Sequence, residues 1–403
     1  MQGRTLIIAM CIGQVGNLLP HVVVPAVMVA HLIPLWGLSN AEAGLMASAY
    51  AAGYMLAVPV LSSLADRLDA RRILMWGSLA SALPTQAFAL FADGLASASL
   101  CWFLAGLGFA GAYMPGLKAL TDRQPPGENS RAITYYTSSF SAGVGLSFLV
   151  SQLVADALGW RWAFVITGLG PLAMVWTAWR MQPHETRPSA GRLLDFRPVL
   201  RNRTAMGYIL GYGAHCFELY GMRTWIVAFW SFVVARAGGS AWLEPVTVSV
   251  LVSLLAMPAS IGGNELSIRF GRHRAIVAIQ LLSAATAVAI GLLAGGPASA
   301  LLALVLLYAL TVPADSGSLT AGMSAAAAPG MRGATMAMHS MIGFGVSAFA
   351  GWLVGAALDA AGGADQPEAW LAGFGVLAAG ILCGPLAIAW SRRERAAADR
   401  AIR

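Results

Sequence analysis

The sequence predicts an all-α membrane protein with twelve transmembrane helices in two six-helix bundles. Hydrophobic residues make up 58% of the 403 residues and charged residues only 11%, whereas a soluble domain carries roughly 25% charged residues. Twelve apolar runs reach about 20 residues, the length that a helix needs to cross a bilayer. A short basic loop, Ser62 to Leu74, has a worn copy from Asn264 to Ile276, 202 residues later. Most of the surface is therefore expected to face lipid.

The first six runs form the first half of the chain. In order they lie at about 5–34, 42–65, 73–93, 96–120, 131–155 and 162–181. Charged segments interrupt the apolar pattern, most clearly the basic loop after the second run and residues 121–131 after the fourth. The first run exceeds the core of a signal peptide and is followed by another span, so we expect it to be retained.

The second six runs follow the longest charged connection. They lie at about 204–234, 245–264, 275–294, 298–326, 333–359 and 368–391. The connection, residues 182–203, contains Pro183, Pro188 and Pro198. We therefore expect an N-terminal bundle over 1–181, a cytoplasmic linker over 182–203, and a C-terminal bundle with a cytoplasmic tail over 204–403, as in duplicated transporters.

Basic residues predict the orientation. If both termini are cytoplasmic, all but four of the 25 Lys and Arg residues fall on that side, in the linker, the tail and the loops together with Arg4 and Arg180. The exceptions are Arg161 and Arg236 in outside loops and Lys118 and Arg223 within spans. The positive-inside rule thus places both termini in the cytoplasm and accounts for the net charge of +7 without nucleic acid. We expect a monomeric, multi-pass protein of a cell inner membrane.

Several motifs together resemble the major facilitator superfamily over the whole chain. They are the 6+6 arrangement of spans, the Leu-Ala-Asp-Arg-x-x-x-Arg-Arg loop at 64–72, its copy after the eighth span, and Gly-Trp-Arg-Trp-Ala-Phe at 159–164. The resemblance implies two bundles that rock around a central cavity. Ser62 and Asp69 stand where the family usually has glycine, and Ile268 replaces the acid in the second copy.

The resemblance also implies a gate in the basic loop. A carboxylate at a helix end can pair with guanidinium groups of neighbouring segments. The gate residues would be Asp66, Arg67, Arg71 and Arg72. The alternative is that these charges serve only to set the topology, which would leave the acid Asp66 without a purpose.

Ionisable residues deep in a span are costly and are functional candidates by default. Four of them are candidates for proton coupling: Glu218, Asp315, His215 and His339. Desolvation can bring a carboxyl group such as Glu218 toward titration near neutral pH. Met residues surround His339 at 336–341, a soft-metal pattern, but with 17 Met in the chain packing is the better interpretation, and we predict no metal site.

Polar residues near the predicted cavity are candidates for binding substrate. Gln14, Asn17 and His21 share one face of the first helix, and an offset of 201 pairs Gln14 with His215 and Asn17 with Glu218. Interhelical hydrogen bonding, worth only about 1 kcal/mol, is the alternative. Pro-Gly breaks near Tyr113 and Asp315 indicate a binding region. The full set comprises Gln14, Asn17, His21, Tyr113, Lys118, Tyr135, Ser138 and Arg223.

These features predict a secondary active transporter. No nucleotide-binding loop or catalytic grouping is recognisable, so neither an enzyme nor a cofactor is expected, and a solute or proton gradient should drive transport. The expected partners are a small polar or anionic solute, protons and the lipid bilayer. A drug/proton antiporter that exports amphipathic compounds is the main alternative, and a non-transporting membrane sensor on a transporter fold is the alternative from another class.

Overall fold

The computed structural model describes residues 3–65, 67–124, 129–185, 195–239, 243–328 and 331–402, which contain helices and no strand. The helices of the N-terminal half are α1 (Gly3–Leu18), α2 (Val23–Val27), α3 (Ile33–Trp36), α4 (Asn40–Leu64), α5 (Ala70–Phe91), α6 (Leu95–Phe109), α7 (Tyr113–Thr121), α8 (Asn129–Leu158), α9 (Trp160–Leu169) and α10 (Pro171–Arg180). A π-helical turn, Met28–Leu32, joins α2 to α3.

The C-terminal half repeats this arrangement with fewer interruptions. Its helices are α11 (Arg197–Arg201), α12 (Arg203–Arg236), α13 (Pro245–Phe270), α14 (Arg272–Leu292), α15 (Ala298–Thr311), α16 (Ser316–Ala326), α17 (Arg332–Ala360) and α18 (Pro367–Ile402). The breaks between α6 and α7 and between α15 and α16 lie about 202 residues apart, beside Pro115 and at Pro313. Proline lacks a backbone N–H and interrupts a helix, so local chemistry accounts for the second break directly.

Ten helices or joined helix pairs in the described ranges are long and apolar enough to cross a membrane. The pair Gly3–Leu18 and Val23–Trp36, bent by 48°, would make eleven. The 34-residue helix α12 is not among them, because His215, Glu218 and Arg223 lower its hydropathy. The prediction of an all-α membrane fold is confirmed, whereas the count of twelve spans stays a prediction.

The chain connections meet at two ends of the bundle. At one end Met181, Gln182 and His184 hydrogen-bond to the residues around α5 and α7, and we call this the linker end. The opposite, distal end holds the connection before α4 and the C-terminus of α17. Helices pack mainly within each half, while α4 against α17 and α8 against α13 join the halves.

Close contacts bring the two halves together toward the distal end. A Cβ atom on Gly44 of α4 would collide with the carbonyl oxygen of Gly351 in α17, so the glycine permits the two backbones to touch. Gln152 of α8 donates a hydrogen bond from Nε2 to Ser249 Oγ of α13, at 3.1 Å. The interface between the halves is therefore tight on the side away from the linker.

Candidate substrate and proton sites

Two buried carboxyl groups lie inside the C-terminal half. Glu218 of α12 is 0% exposed and Asp315, between α15 and α16, is 1% exposed. Glu218 Oε1 accepts hydrogen bonds from Ser283 Oγ at 2.9 Å and from Tyr308 Oη at 3.0 Å. Glu218 Oε2 is buried without a hydrogen-bond partner. Because an ionised oxygen without a partner is costly in such surroundings, this carboxyl group is suited to holding a proton.

Asp315 contacts a histidine and an amide. Its Oδ1 atom lies 2.7 Å from His215 Nδ1, within the distance of an ion pair. The two atoms do not have the geometry of a hydrogen bond. Its Oδ2 atom accepts a hydrogen bond from Gln280 Nε2 at 2.7 Å. The break between α15 and α16 places the aspartate at the start of α16, facing α12 and α14. The structure thus brings an acid and a potential base into direct contact.

Aromatic stacking extends this contact to the second histidine. The His215 ring stacks on Tyr212, with centroids 5.4 Å apart, and Tyr212 stacks on His339 at 3.7 Å. His339 Nε2 lies 3.3 Å from Thr320 Oγ1. The four proton-coupling candidates therefore lie in one region of the C-terminal half. We call Glu218, His215, Asp315, His339 and their contacts Gln280, Ser283, Tyr308 and Tyr212 the carboxylate network.

A second buried cluster lies where the halves meet. The ring of His21 is 5.2 Å from Tyr50, 5.3 Å from Phe109, 5.5 Å from Phe140 and 6.1 Å from Tyr220, between ring centroids. Four of these five residues belong to the N-terminal half, and Tyr220 belongs to α12. Both imidazole nitrogens of His21 are buried without a hydrogen-bond partner. The two ring nitrogens of His21 are therefore available to hydrogen-bond a ligand that lies among these aromatic rings.

Arg223 of α12 completes this interface cluster. Its guanidinium carbon lies 5.7 Å from the centroid of Phe140 and 5.5 Å from that of Tyr220, so Arg223 and His21 flank the same two rings. The arginine is only 5% exposed. Within the described residues no carboxylate forms a salt bridge with it. A buried cation lacking an acidic partner is strongly predisposed to bind an anion.

Three other predicted binding residues, Gln14, Asn17 and Tyr113, lie next to this cluster. Gln14 Oε1 accepts a hydrogen bond from Tyr136 Oη at 2.8 Å, and Asn17 is fully buried with no hydrogen-bond partner for its amide. Tyr113 packs against Phe140 with centroids 5.2 Å apart. These side chains adjoin the interface cluster through shared rings and helices.

Three predicted binding residues lie elsewhere. Tyr135 is 58% exposed, so the polar contact to α1 comes from its neighbour Tyr136. Lys118 Nζ pairs with Asp122 Oδ1 of the following turn at 3.1 Å, near the linker end. Ser138 is partly buried without a described link to the cluster. Sequence offset alone could not determine which face of α8 turns inward.

The basic loop is held by an acid that sequence analysis did not include in the gate. Asp69 Oδ1 accepts hydrogen bonds from Arg123 Nη2 at 2.7 Å and from Arg71 N at 3.0 Å, and Asp69 Oδ2 accepts one from His184 N at 3.0 Å. Burial alone would raise the pKa of Asp69, but the hydrogen bonds from Arg123 and from the two backbone N–H groups lower it below its ordinary value. Asp69 therefore links three segments at the linker end.

The predicted gate residues are arranged around Asp69. Arg71 Nη1 donates to the carbonyl oxygen of Met181 at 2.6 Å, and Arg72 is exposed. Arg67 is partly buried, and Asp66 lies outside the described residues. Asp69 thus forms anchoring contacts of the kind that the resemblance implies for Asp66, and the gate role of Asp66 stays a prediction.

Some members of the network gave only a weak signal in the sequence. Gln280 and Ser283 are neutral polar residues in the apolar run of α14, and Tyr308 is a single hydroxyl in α15. Gln280 and Ser283 are spaced i, i+3, which places them on one helix face. That spacing could have marked the side of α14 facing the acids. No comparable spacing in the sequence marked Arg123 as the partner of Asp69.

The helical architecture and buried polar sites are those of a membrane transporter. The sequence model of the Major Facilitator Superfamily matches residues 6–340. The chain belongs to this superfamily. Its fold is similar to that of a bacterial homologue of the human lysosomal transporter Spinster, solved in an inward-facing and unoccupied conformation, with a TM-score of 0.72, 16% identity and coverage of 96% of this chain and 95% of the other.

Two transporters of known substrate are similar in sequence. The human voltage-gated purine nucleotide uniporter SLC17A9 is 26% identical over 253 residues, 58% of this chain and 56% of the uniporter. The gallate transporter of Pseudomonas putida is 30% identical over 158 residues, 39% of this chain and 35% of that transporter. The chain therefore matches only about half, or less, of the length of these relatives.

Proposed function

We propose that this protein is a proton-coupled secondary transporter of a small organic anion, working by alternating access. The observation that carries the proposal is Arg223, a buried cation between the two halves with no acidic partner in the described residues. Purine nucleotides and gallate, the substrates in the names of the two relatives, are organic anions. An anion on Arg223 would compensate a charge that the protein leaves uncompensated.

The interface cluster provides hydrogen-bonding groups for an anion in addition to the positive charge of Arg223. Guanidinium groups bind carboxylates through paired N–H donors, and the nearby His21 has two nitrogens without partners. Phe140 and Tyr220 come from different halves, so a solute held between them would feel any change in the separation of the halves. This arrangement supports a site that faces each side of the membrane in turn, with residues 1–181 and 204–403 moving as two units joined by the linker.

Protons would act in the carboxylate network. His215, Glu218 and Arg223 lie on the same helix, α12, so the proton site and the anion site are connected by one rigid element. Protonation of Glu218 or of the His215–Asp315 pair changes the charge beside α12. We therefore propose that proton binding favours one position of α12 and that anion binding responds to it.

Two alternatives predict different behaviour. A drug/proton antiporter would accept lipophilic cations, and the aromatic rings around His21 suit such compounds, but Arg223 lies against two of those rings and would repel a cation. A non-transporting sensor would bind a solute without moving it. The basic residues still favour an inner-membrane protein with both termini cytoplasmic, and we propose a monomer as the working unit.

Transport into proteoliposomes would test the proposal. Uptake would be measured for an aromatic carboxylate (gallate), a sugar acid (galactonate), a nucleotide (ADP) and the lipophilic cation tetraphenylphosphonium, with and without an imposed pH gradient. We expect at least one anion, and not the cation, to be taken up faster with the gradient. Arg223→Gln should abolish this uptake.

Arg236→Gln is the matched control. Arg236 ends the same helix, is exposed, and its hydrogen bond within the described residues goes to a loop carbonyl, that of Gly295, so its loss should leave uptake unchanged. Uptake of the cation alone would support the antiporter instead. Binding of an anion without any uptake would support the sensor.

A further inference from the structure

A cleft of about 300 Å³ opens at the linker end, between the start of α5 and the end of α10. It is separate from both buried sites. Its lining consists of two basic residues, two tryptophans and two small or flexible apolar residues: Arg71, Arg72, Met75, Trp76, Ala178 and Trp179. None of these described lining residues is acidic.

The tryptophans indicate where this cleft lies relative to the bilayer. Trp76 is 62% exposed and Trp179 is 65% exposed; Trp179 lies one residue before the end of α10, and Trp76 lies in the second turn of α5. Exposed tryptophans at the ends of membrane helices mark the level of lipid headgroups. The cleft therefore opens toward lipid at the boundary between hydrocarbon and water, and its natural occupant is an amphiphile.

The arginines indicate the charge of that occupant. Arg71 is already engaged, with Met181 O at 2.6 Å and Asp69 Oδ2 at 3.6 Å. Arg72 is exposed, and within the described residues it forms no hydrogen bond or salt bridge. The cleft therefore presents one uncompensated guanidinium group at headgroup level, a strong donor for phosphate oxygens.

We propose that this cleft binds an anionic phospholipid. The phosphate would lie on Arg72, with Arg71 beside it, and the first part of an acyl chain would lie between Trp76 and Trp179, over Met75. Basic pockets between membrane helices on the cytoplasmic side bind anionic headgroups in this way. Since Arg71 also contacts Asp69 and Met181, the lipid would be in direct contact with the anchor that ties the linker to α5.

The second half of the chain provides a matched control. At the offset of 202, Arg72 corresponds to Arg274 at the start of α14, which is also exposed, while Trp76 corresponds to Ala278. Removing either arginine deletes one positive charge at the same end of the protein. Arg72 lines the cleft with the two tryptophans, and Arg274 does not line that cleft.

Native mass spectrometry of the full chain, delipidated in detergent, would test the site. Phosphatidylglycerol would be titrated against the wild type, Arg72→Gln, Trp76→Ala and Arg274→Gln, with phosphatidylcholine of the same acyl chains and inorganic phosphate as separate arms. We expect phosphatidylglycerol to be retained in preference to phosphatidylcholine. Arg72→Gln should weaken its binding about fivefold, Trp76→Ala should weaken it as well, and Arg274→Gln should not.

Phosphatidylglycerol with brominated acyl chains gives an independent measurement, because bromine quenches tryptophan fluorescence at contact. Quenching of the wild type should show a saturable component that is lost in the double variant Trp76→Phe, Trp179→Phe. Equal binding of both lipids, equal loss in Arg274→Gln, or an unchanged quenching curve would overturn the proposal. So would inorganic phosphate that displaces the lipid at equal concentration, which would identify a free-phosphate site.

Discussion

Asp359 of α17 binds the first residues of α4 across the boundary between the halves. Its Oδ1 atom accepts hydrogen bonds from Asn40 Nδ2 at 2.7 Å and from Asn40 N at 3.1 Å, and its Oδ2 atom accepts one from Ala41 N at 2.7 Å. The first N–H groups of a helix have no partner within it, and its positive end favours a carboxylate. One half thus supplies the anionic cap for a helix of the other and holds the distal end closed.

Replacing this carboxylate should open the distal end. In Asp359→Ala the N–H groups of Asn40 and Ala41 lose their acceptor, so closure loses stabilisation relative to an open state in which water hydrates them. Distances between spin labels at Leu35→Cys and Asp365→Cys, in a variant with its four native cysteines replaced, would report the opening. We expect a longer-distance population to grow in Asp359→Ala.

Asp156→Ala is the control for this effect. Asp156 is also acidic and exposed at the distal end, but its described contact, His31 at 3.6 Å, lies within the same half. Its loss should leave the distance distribution unchanged. An unchanged distribution in Asp359→Ala would show that the three hydrogen bonds do not restrain the halves.

The carboxylate network predicts that transport loses its dependence on the pH gradient when the acids are neutralised. Glu218→Gln and Asp315→Asn keep the shape of the side chains but cannot bind and release a proton. In proteoliposomes each should reduce gradient-driven uptake to the rate without a gradient, while exchange of substrate across the membrane persists. Glu265→Gln, an exposed acid on α13, should behave as the wild type. Equal stimulation by the gradient in wild type and both variants would exclude proton coupling through these acids.

The fold could be predicted from the sequence because its determinants are local. Apolar runs give the helices, and the duplicated basic loop gives the register between the halves. Helix α12 was predicted as the run at 204–234 and forms over Arg203–Arg236, although the candidate site residues His215, Glu218 and Arg223 lower its hydropathy below that of the other spans. The Pro313 break was recognisable for the same local reason.

The candidate sites could be predicted only in part. A charge in an apolar run is costly, so Glu218, Asp315 and Arg223 were recognisable individually. Their partners depend on how each helix is rotated and tilted, which sequence spacing does not determine. The offset matched Asn17 and Glu218 as equivalent positions of the two halves but predicted no hydrogen-bond partner for either, and in the structure Glu218 accepts hydrogen bonds from Ser283 and Tyr308.

Arg223 should require a guanidinium group and not merely a positive charge. A planar guanidinium group can stack on Phe140 and Tyr220 while donating paired hydrogen bonds, whereas a lysine ammonium is a strongly hydrated point charge. In Arg223→Lys we expect the KM for the transported anion to rise about tenfold or more, the loss corresponding to one or two hydrogen bonds to a charged group. Concentration-dependent uptake would measure it. Full activity of Arg223→Lys would mean that charge alone suffices.

Asp69 should stabilise the linker end in a pH-dependent manner. Its pKa in the folded protein lies below the ordinary value of 3.8, so its contribution is present above that value and is lost as pH falls through the lower, folded-state pKa. Asp69→Asn should therefore lower the thermal midpoint at neutral pH, by the equivalent of about 1.5–3 kcal/mol for hydrogen bonds to charged groups.

The difference between wild type and Asp69→Asn should then shrink when the pH is lowered from neutral to about 3, because below the ordinary value of 3.8 the unfolded chain takes up a proton more readily than the folded protein does. Thermal unfolding followed by tryptophan fluorescence at both pH values would measure it. Asp122→Asn is the comparison, because the described partner of that acid is Lys118, one turn away in a partly buried pair, and a pair with this i,i+4 spacing is worth only about 0.3–0.5 kcal/mol. Since Asp69 ties Arg123 and the backbone of His184 to α5, the larger effect should fall on Asp69→Asn. A difference that stays constant from neutral pH to about pH 3 would contradict a role for its charge.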